Sequence, residues 1–441
     1  MHNRIVCGIA AIGLLMVSSL GWGQPSPSKV GTTDDNYAID YNNGPAIDRA
    51  PDGTVMAIWA TGPNHGVNVL WSTYDEVFGS WNPPQVLGPG TAQRTTPALV
   101  ADEYGRFHAT WSKDFKIVYA QYDGTQWSAP VQVQKNDIKG NSNSIVIDSN
   151  GTIWIAWSTY RQDDNLNEWL LISHSTDDGA TWSDPDTLAR NMHPGVISSY
   201  FVVPHLATSR DGKVGVAYRE KDLNVSSFFQ IYFQEWDGNK WSDPELITDF
   251  CYSVDCYQAS LCYDSRGTRH LVFYTDEVDW PTVAQGQIYY TWKADGGSWS
   301  QPVPLSADPN GIADYPAITV GPNDALYVAF LSNSYATGSG QLQVFGVTSN
   351  DRGKTWSAPF PISTSPVALA LRGPSIGKHP RPAVGGFSGG ADVFWVQPDA
   401  GEPDGNALYY GYIPWVNVSL PVKVTFVANT ATVPDTLGPG S

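Results

Sequence analysis

The sequence predicts an all-β protein, a seven-bladed β-propeller of four-stranded antiparallel blades. Three observations carry that prediction: composition, a repeated Trp–Pro pair, and a repeated hairpin pattern. The 441 residues are 41% hydrophobic and 12% aromatic, with 42 Gly and 32 Pro. That balance supplies a large core and disfavours long helices. Six times an Asp/Gly turn leads into a Trp with a Pro three residues later, at Trp81/Pro84, Trp127/Pro130, Trp182/Pro185, Trp241/Pro244, Trp299/Pro302 and Trp356/Pro359. A repeat of about 50 to 60 residues implies copies of one supersecondary unit that bury a core by packing on their neighbours.

Each unit has two halves. The first is an antiparallel hairpin, expected at Pro45–Ala60, Pro97–Ser112, Ser144–Thr159, Pro204–Glu220, Ala259–Thr275, Pro316–Ser332 and Pro382–Gln397. The alternation in Thr54–Trp59 and Thr152–Trp157, bounded by Asp, Asn and Gly, marks its second strand. The second half is a third strand, the Asp/Gly turn and a short fourth strand, as in Lys116–Val133 and Gln287–Leu305. Pro heading that fourth strand fits only an outer edge, where no ladder hydrogen bond is needed. The seventh unit has a third strand at Ala407–Ile413 but no Trp-Ser-x-Pro after it. Residues Pro25–Gly31 stand before the first hairpin as fourth strands stand before later ones, so they are expected to complete the last blade and close the ring. A six-bladed ring is the alternative count.

At the amino end, Arg4, the apolar run Ile5–Val17 and the small residues Gly21 and Gly23 read as a secretory signal over residues 1–23, with the propeller at 24–415. The run is too short to span a bilayer. A secreted or cell-surface monomer is expected, with no membrane insertion. Residues 416–441 read as a linker and the first strand, around Val422–Val427, of a truncated β-sandwich module. Cys251, Cys256 and Cys262 follow the signal; Cys251–Cys256 is the expected staple, and a metal site would need more ligands nearby. No cofactor is expected. The net charge of −18 excludes nucleic acid and anionic membrane surfaces as partners, since both need a cationic footprint.

Two turns read Ser-x-Asp-x-Gly-x-Thr-Trp: Ser175, Asp177, Gly179, Thr181, Trp182 and Ser349, Asp351, Gly353, Thr355, Trp356. Degenerate copies contain Asp75, Asp123, Asp237 and Asp295. These match the Asp-box of the sialidase superfamily, which the chain resembles over residues 25–415. The resemblance implies a propeller with its boxes between third and fourth strands, on the face away from the substrate. Substrate would then meet the loops joining strand two to three and strand four to the next blade.

Those loops contain Arg94, Arg161, Arg190, Arg219, Arg372 and Arg381, and His65, His193 and His379. Their acids are Asp34, Asp35, Asp40, Asp163, Glu220, Asp255, Asp276, Glu277 and Asp314. Their aromatics are Tyr37, Tyr160, Tyr200, Tyr257, Trp280 and Tyr315. Aromatic faces and fixed polar groups suit an extracellular glycan or polysaccharide. By the resemblance, a sialidase would clamp a carboxylate with three arginines, for which Arg161, Arg219 and Arg381 are the candidates, with Glu220 beside one of them. The chain lacks the family's Arg-Ile-Pro tripeptide, and Arg49 and Arg94 stand in no matching context, so glycan binding or atypical processing is favoured over standard exo-sialidase chemistry. A polysaccharide lyase is a second enzymatic reading, needing a base and a cation for a uronate; His193 with Tyr200, or His379 with Arg381, would serve. A lectin-like module or a protein-binding scaffold is the non-enzymatic alternative.

Overall fold

The computed structural model describes residues 26–35, 38–39, 45–62, 67–91, 95–135, 137, 139–159, 168–191, 202–221, 228–249, 254–276, 286–306, 312–333, 342–364, 374–377, 390–399, 401 and 405–414. They form seven antiparallel sheets arranged as a seven-bladed propeller. Counting strands from the inside out, blade 1 is built on Val55–Ala60 and Asn68–Asp75, blade 2 on Phe107–Lys113 and Lys116–Tyr122, and blade 3 on Ile153–Thr159 and Glu168–Ser175. Blade 4 is built on Val214–Glu220 and Gln230–Trp236, blade 5 on Arg269–Asp276 and Gln287–Lys293, blade 6 on Leu326–Ser332 and Gln343–Ser349, and blade 7 on Gly390–Pro398 and Asn406–Pro414. Among the described residues the one helical segment is the short 3-10 turn Pro322–Asp324.

Ring closure follows the expected scheme. Ser28–Thr32 is the outer strand of blade 7 and pairs antiparallel with Asn406–Pro414, in the register Ser28 to Tyr410 and Thr32 to Ala407. Six outer strands begin on the residue after the repeated proline, at Gln85, Val131, Asp186, Glu245, Val303 and Phe360. Proline thus ends the turn and the ladder starts where N–H groups are again available. The inner strand of blade 7 differs from expectation. It is Ser375–Gly377, paired with Asp392–Phe394, and lies upstream of the predicted start at Pro382. Its close approach to blade 1 explains the choice of residues. A Cβ on Gly377 would lie 2.7 Å from the Ile47 carbonyl, and Ser375 Oγ accepts a hydrogen bond from the Ala46 N–H at 2.7 Å.

Two repeated devices join the blades. Near the axis, a side chain on one inner strand accepts from a backbone N–H of the next. Asp48 accepts from Ala101, Ser144 from Leu206, His205 Nδ1 from Leu261, and Ser260 from Ile318. Farther out, each repeated Trp packs on an aromatic of the preceding blade: Trp81 on Tyr410, Trp127 on Trp71, Trp182 on Tyr119, Trp241 on Trp154, Trp299 on Phe233 and Trp356 on Tyr290, with centroids 4.9–6.0 Å apart. Such pairs add about 1 kcal/mol each beyond the apolar area they bury. The Trp therefore locks seams, and its spacing is the blade period.

Candidate functional site

Two faces follow from the strand order. The mouth face carries the loops from second to third strands and from one blade to the next. The turn face carries the first-to-second and third-to-fourth turns, including the Asp/Gly turns.

On the turn face, the Ser, Asp and Thr of the complete Asp/Gly turns are consumed by structure. In the two complete Ser-x-Asp-x-Gly-x-Thr-Trp turns, Asp177 accepts from the Thr181 N–H at 2.8 Å and Asp351 from the Thr355 N–H at 2.8 Å. Ser175 Oγ and Ser349 Oγ accept from the N–H of Gly179 and Gly353. The Thr181 hydroxyl and backbone hold the Asp177 carboxyl down at about 2. Asp295 departs from its copies, accepting from Lys213 and Arg269 side chains at 2.7 and 2.9 Å. Arg49 is also structural. It is 6% exposed, grips Asp392 of blade 7 through two hydrogen bonds of 3.0 and 2.9 Å, and reaches Glu76. Burial alone would lower its pKa, but the Asp392 charge overrides this and raises it. Arg49 thus stitches the closing seam and is unavailable as a ligand clamp.

The mouth face is built differently. The inner strands of blades 3, 5 and 6 each carry a bulge where they start, between Asn141 and Asn143, Tyr257 and Ser260, and Asp314 and Ala317. Inside each bulge a non-glycine residue takes a left-handed conformation: Ser142 at φ 46°, Gln258 at 36° and Tyr315 at 53°. Thr96, which leads into the inner strand of blade 2, is at 43° and accepts from the Ser142 N–H while receiving the Asn143 amide. Strain of this kind costs about 1–3 kcal/mol per residue and clusters at functional sites. Thr96, Ser142 and Gln258 of this collar are buried yet polar, and Tyr315 is partly buried. Asn141 Nδ2, Ser142 Oγ, Asn143 Oδ1 and Gln258 Oε1 find no hydrogen-bond partner among the described residues.

Beside this collar, between blades 4 and 5, Arg219 is 6% exposed and lies between two rings, its guanidinium carbon 5.0 Å from the Phe229 centroid and 5.1 Å from that of Tyr257. Asp255 braces both rings. One carboxylate oxygen accepts from the Phe229 N–H at 2.6 Å and the other from the Tyr257 hydroxyl at 2.8 Å. The aromatic row continues through Tyr274 to Tyr315 of blade 6, with centroids 5.4 and 5.6 Å apart. Burial raises the Tyr274 phenol well above its ordinary value, so that hydroxyl stays protonated. Lys221 adds a second cation, 5.9 Å from the Phe229 ring. The arrangement is a rigid, weakly hydrated cation packed among aromatic rings, of which Tyr257 and Tyr315 are partly exposed.

Of the candidates read from sequence, Arg219, Asp255, Tyr257 and Tyr315 come together here. Glu220 does not join Arg219. The two are consecutive in one strand, opposite Ile231 and Gln230, so they face opposite sides of the sheet. Asp34 is structural, accepting from the Gly62 N–H at 2.5 Å. Arg161, Tyr200, His193, His379 and Arg381 lie outside the described residues, as does Cys251 of the expected staple. Sequence reading missed Phe229, Tyr274 and the collar residues Ser142 and Gln258. The polar run Asn141–Ser144 just before an apolar strand was the available signal for the collar. Among the described residues no cluster of three His, Cys, Asp or Glu side chains is placed to hold a metal ion.

The sequence matches no protein-family model, and no curated protein matches it. Solved structures match the fold. An ulvan lyase from a family of polysaccharide lyases, bound to -[GlcA(1-4)Rha3S]-, is 12% identical, with a TM-score of 0.62 over 89% of this chain and 96% of that one. The polysaccharide lyase Uly1 is 12% identical, with a TM-score of 0.54 over 84% and 90%. The NanB sialidase from Streptococcus pneumoniae is 12% identical, with a TM-score of 0.44 over 77% and 70%, too distant to weigh in the argument. At these identities the likeness establishes the propeller and leaves its chemistry open.

Proposed function

We propose that this chain is an exported propeller that processes an acidic polysaccharide by β-elimination at the mouth face, around Arg219. The observation that carries the reading is Arg219 clasped between Phe229 and Tyr257, both fixed by Asp255, beside a strained polar collar. A guanidinium held this way suits the carboxylate of a uronate. Its charge stabilises the negative charge that develops when the proton beside the carboxylate is removed. A base takes that proton, the glycosidic C–O bond on the adjacent carbon breaks, a C=C bond forms in the sugar, and the departing oxygen takes up a proton. Tyr200, His193 and His379 are the candidates for the base, with Arg161 and Arg381 as further cations. Support comes also from the fold likeness to an ulvan lyase whose bound ligand contains a uronate. The overall negative charge leaves attraction of an acidic chain to such local cations.

The test is a panel of uronate-containing polysaccharides read by the ultraviolet absorbance of the unsaturated product. Activity is expected on at least one, and Arg219→Ala should lower kcat/KM by roughly 100-fold or more, with Arg219→Lys partly rescuing. A fluorogenic sialoside should not turn over. Silence across the panel, or full activity in Arg219→Ala, would end the lyase reading; sialoside turnover would replace it with a sialidase.

A further inference from the structure

The face opposite Arg219 contains an open cavity of about 890 Å³, lined by the first turns of blades 2, 3 and 4 and by Thr176–Asp178. Most acids around it are already committed. Asp102 is held by Arg106 and His108, Asp148 by the N–H groups of Asn150 and Thr152 and the Trp154 indole, and Asp177 by Thr181. The rest of the polar lining includes Tyr104, whose hydroxyl pairs with Glu103, together with Ser149, Asn150 and Arg210. Around it stand Asp102, Glu103, Asp148, Asp177 and Asp178 against Arg106 and Arg210, so the lining is acidic overall and disfavours anionic sugars, while its amide, hydroxyl and single tyrosine suit neutral ones.

That aromatic is set as a platform. Tyr104 is 74% exposed, and the Arg106 guanidinium lies 5.3 Å from its centroid, backing the ring. Arg106 is itself anchored to Asp102 and Asp178. An exposed ring with a backed face beside amide, hydroxyl and charged groups matches the way proteins stack and orient a sugar. The feature is particular to this place. The corresponding turn of blade 5, Asp264–Thr268, has Arg266 where Tyr104 stands, and its Ser265 is taken up by Asp324.

We propose that this cavity is a second, non-catalytic glycan site, taking neutral sugar units of a polysaccharide with Tyr104 as the stacking surface. Its location on the far face would let the protein hold a polymer while the mouth face works on an acidic segment. The assignment does not depend on which chemistry occurs at Arg219.

Affinity electrophoresis of the full chain tests it, in gels cast with galactomannan, xyloglucan or laminarin and, separately, with polyglucuronate. Retardation by at least one neutral polymer is expected. Tyr104→Ala should weaken it by about tenfold, Tyr104→Phe should keep it, and Arg219→Ala should leave it unchanged. Because Tyr104 is exposed, its variants should melt like the parent. The proposal is overturned if no neutral polymer retards the protein, if Tyr104→Ala is retarded as strongly as the parent, or if Tyr104 affects only the polyglucuronate gel. A failed lyase assay would leave each of these readouts intact.

Discussion

Two seams of the ring are near copies with their charges exchanged. Between blades 2 and 3, Asp102 contacts His108 Nε2 at 3.2 Å, and His108 Nδ1 lies 2.7 Å from the Tyr119 hydroxyl, which sits under the backbone of Asp178 in the next blade's box turn. Between blades 5 and 6, Asp264, His270 and Tyr290 repeat the row more loosely, with Asp264 3.5 Å from His270 Nε2 and 2.7 Å between His270 Nδ1 and the Tyr290 hydroxyl, under Arg352. In the first seam the arginine is on the hairpin turn, as Arg106, and the acid on the box, as Asp178. In the second the arginine is on the box, as Arg352, and the acids Asp264 and Asp324 are on hairpin turns. Geometry is therefore kept by the buried Asp–His–Tyr row, and the ion pairs only need to be complementary. These two seams are also the ones served by the two complete box turns, because there a tyrosine presses on the box glycine.

The largest test of that comparison is the glycine itself. Gly179 and Gly353 both sit at φ 83°, and a Cβ there would collide with the Tyr119 ring or the Tyr290 hydroxyl. Gly238, the copy in blade 4, has φ 101° but open space around it. Gly179→Ala should cost about 3 kcal/mol, from strain plus overlap, and Gly238→Ala about 1 kcal/mol, from strain. Denaturant midpoints measure the gap; equal losses would show that the tyrosine contact is irrelevant.

A smaller effect is expected with pH. Burial lowers the His108 pKa, outweighing the pull of Asp102, so folding favours neutral imidazole. Asp102 resists its own burial through His108 and Arg106 and is held down at about 2. A depressed histidine contributes stability that is complete above its ordinary value near 6.5 and is lost as pH falls below it; the aspartate contribution goes only below its ordinary value near 4. The parent should therefore lose about 1 kcal/mol per pH unit in the window just below 6.5 from this group, and His108→Gln should flatten that slope. An unchanged slope in melting curves would remove His108 from the account.

The smallest effect concerns polarity. Asp178→Arg should cost about 0.5 kcal/mol by facing Arg106, and adding Arg106→Thr, which recreates the blade 5 arrangement, should recover it. A double variant no more stable than the single would mean that the seams are not interchangeable.

The contrast also shows which parts of the molecule were legible in sequence. The turn face repeats because every blade must solve the same packing problem, so Trp81 through Trp356 and their prolines announced the blades and the closing strand. Arg49 with Asp392 was invisible, since residues 343 positions apart carry no local signal of pairing. At the mouth face each blade differs, and no period constrains it. Arg219, Asp255 and Tyr257 could be named as loop-end residues, but not as neighbours, because their meeting depends on how blades 4 and 5 abut. The separation of Arg219 from Glu220 was readable, as strand alternation sends consecutive side chains apart. The collar was not, because bulges break that alternation at Ser142, Gln258 and Tyr315.

The pairing of Ser28–Thr32 with Asn406–Pro414 has a kinetic corollary. Among the described strands Ser28–Thr32 comes first and its partner Asn406–Pro414 comes last, so during synthesis it waits for the intervening blades before its ladder can form. The ladders within blades 1 to 6 are of modest sequence range and can condense as they emerge, whereas the ladder of blade 7 joins Ser28–Thr32 to Asn406–Pro414. The slowest phase of refolding should then be the docking of that single ribbon, and a chain lacking Ser28–Thr32 should stall as an open crescent.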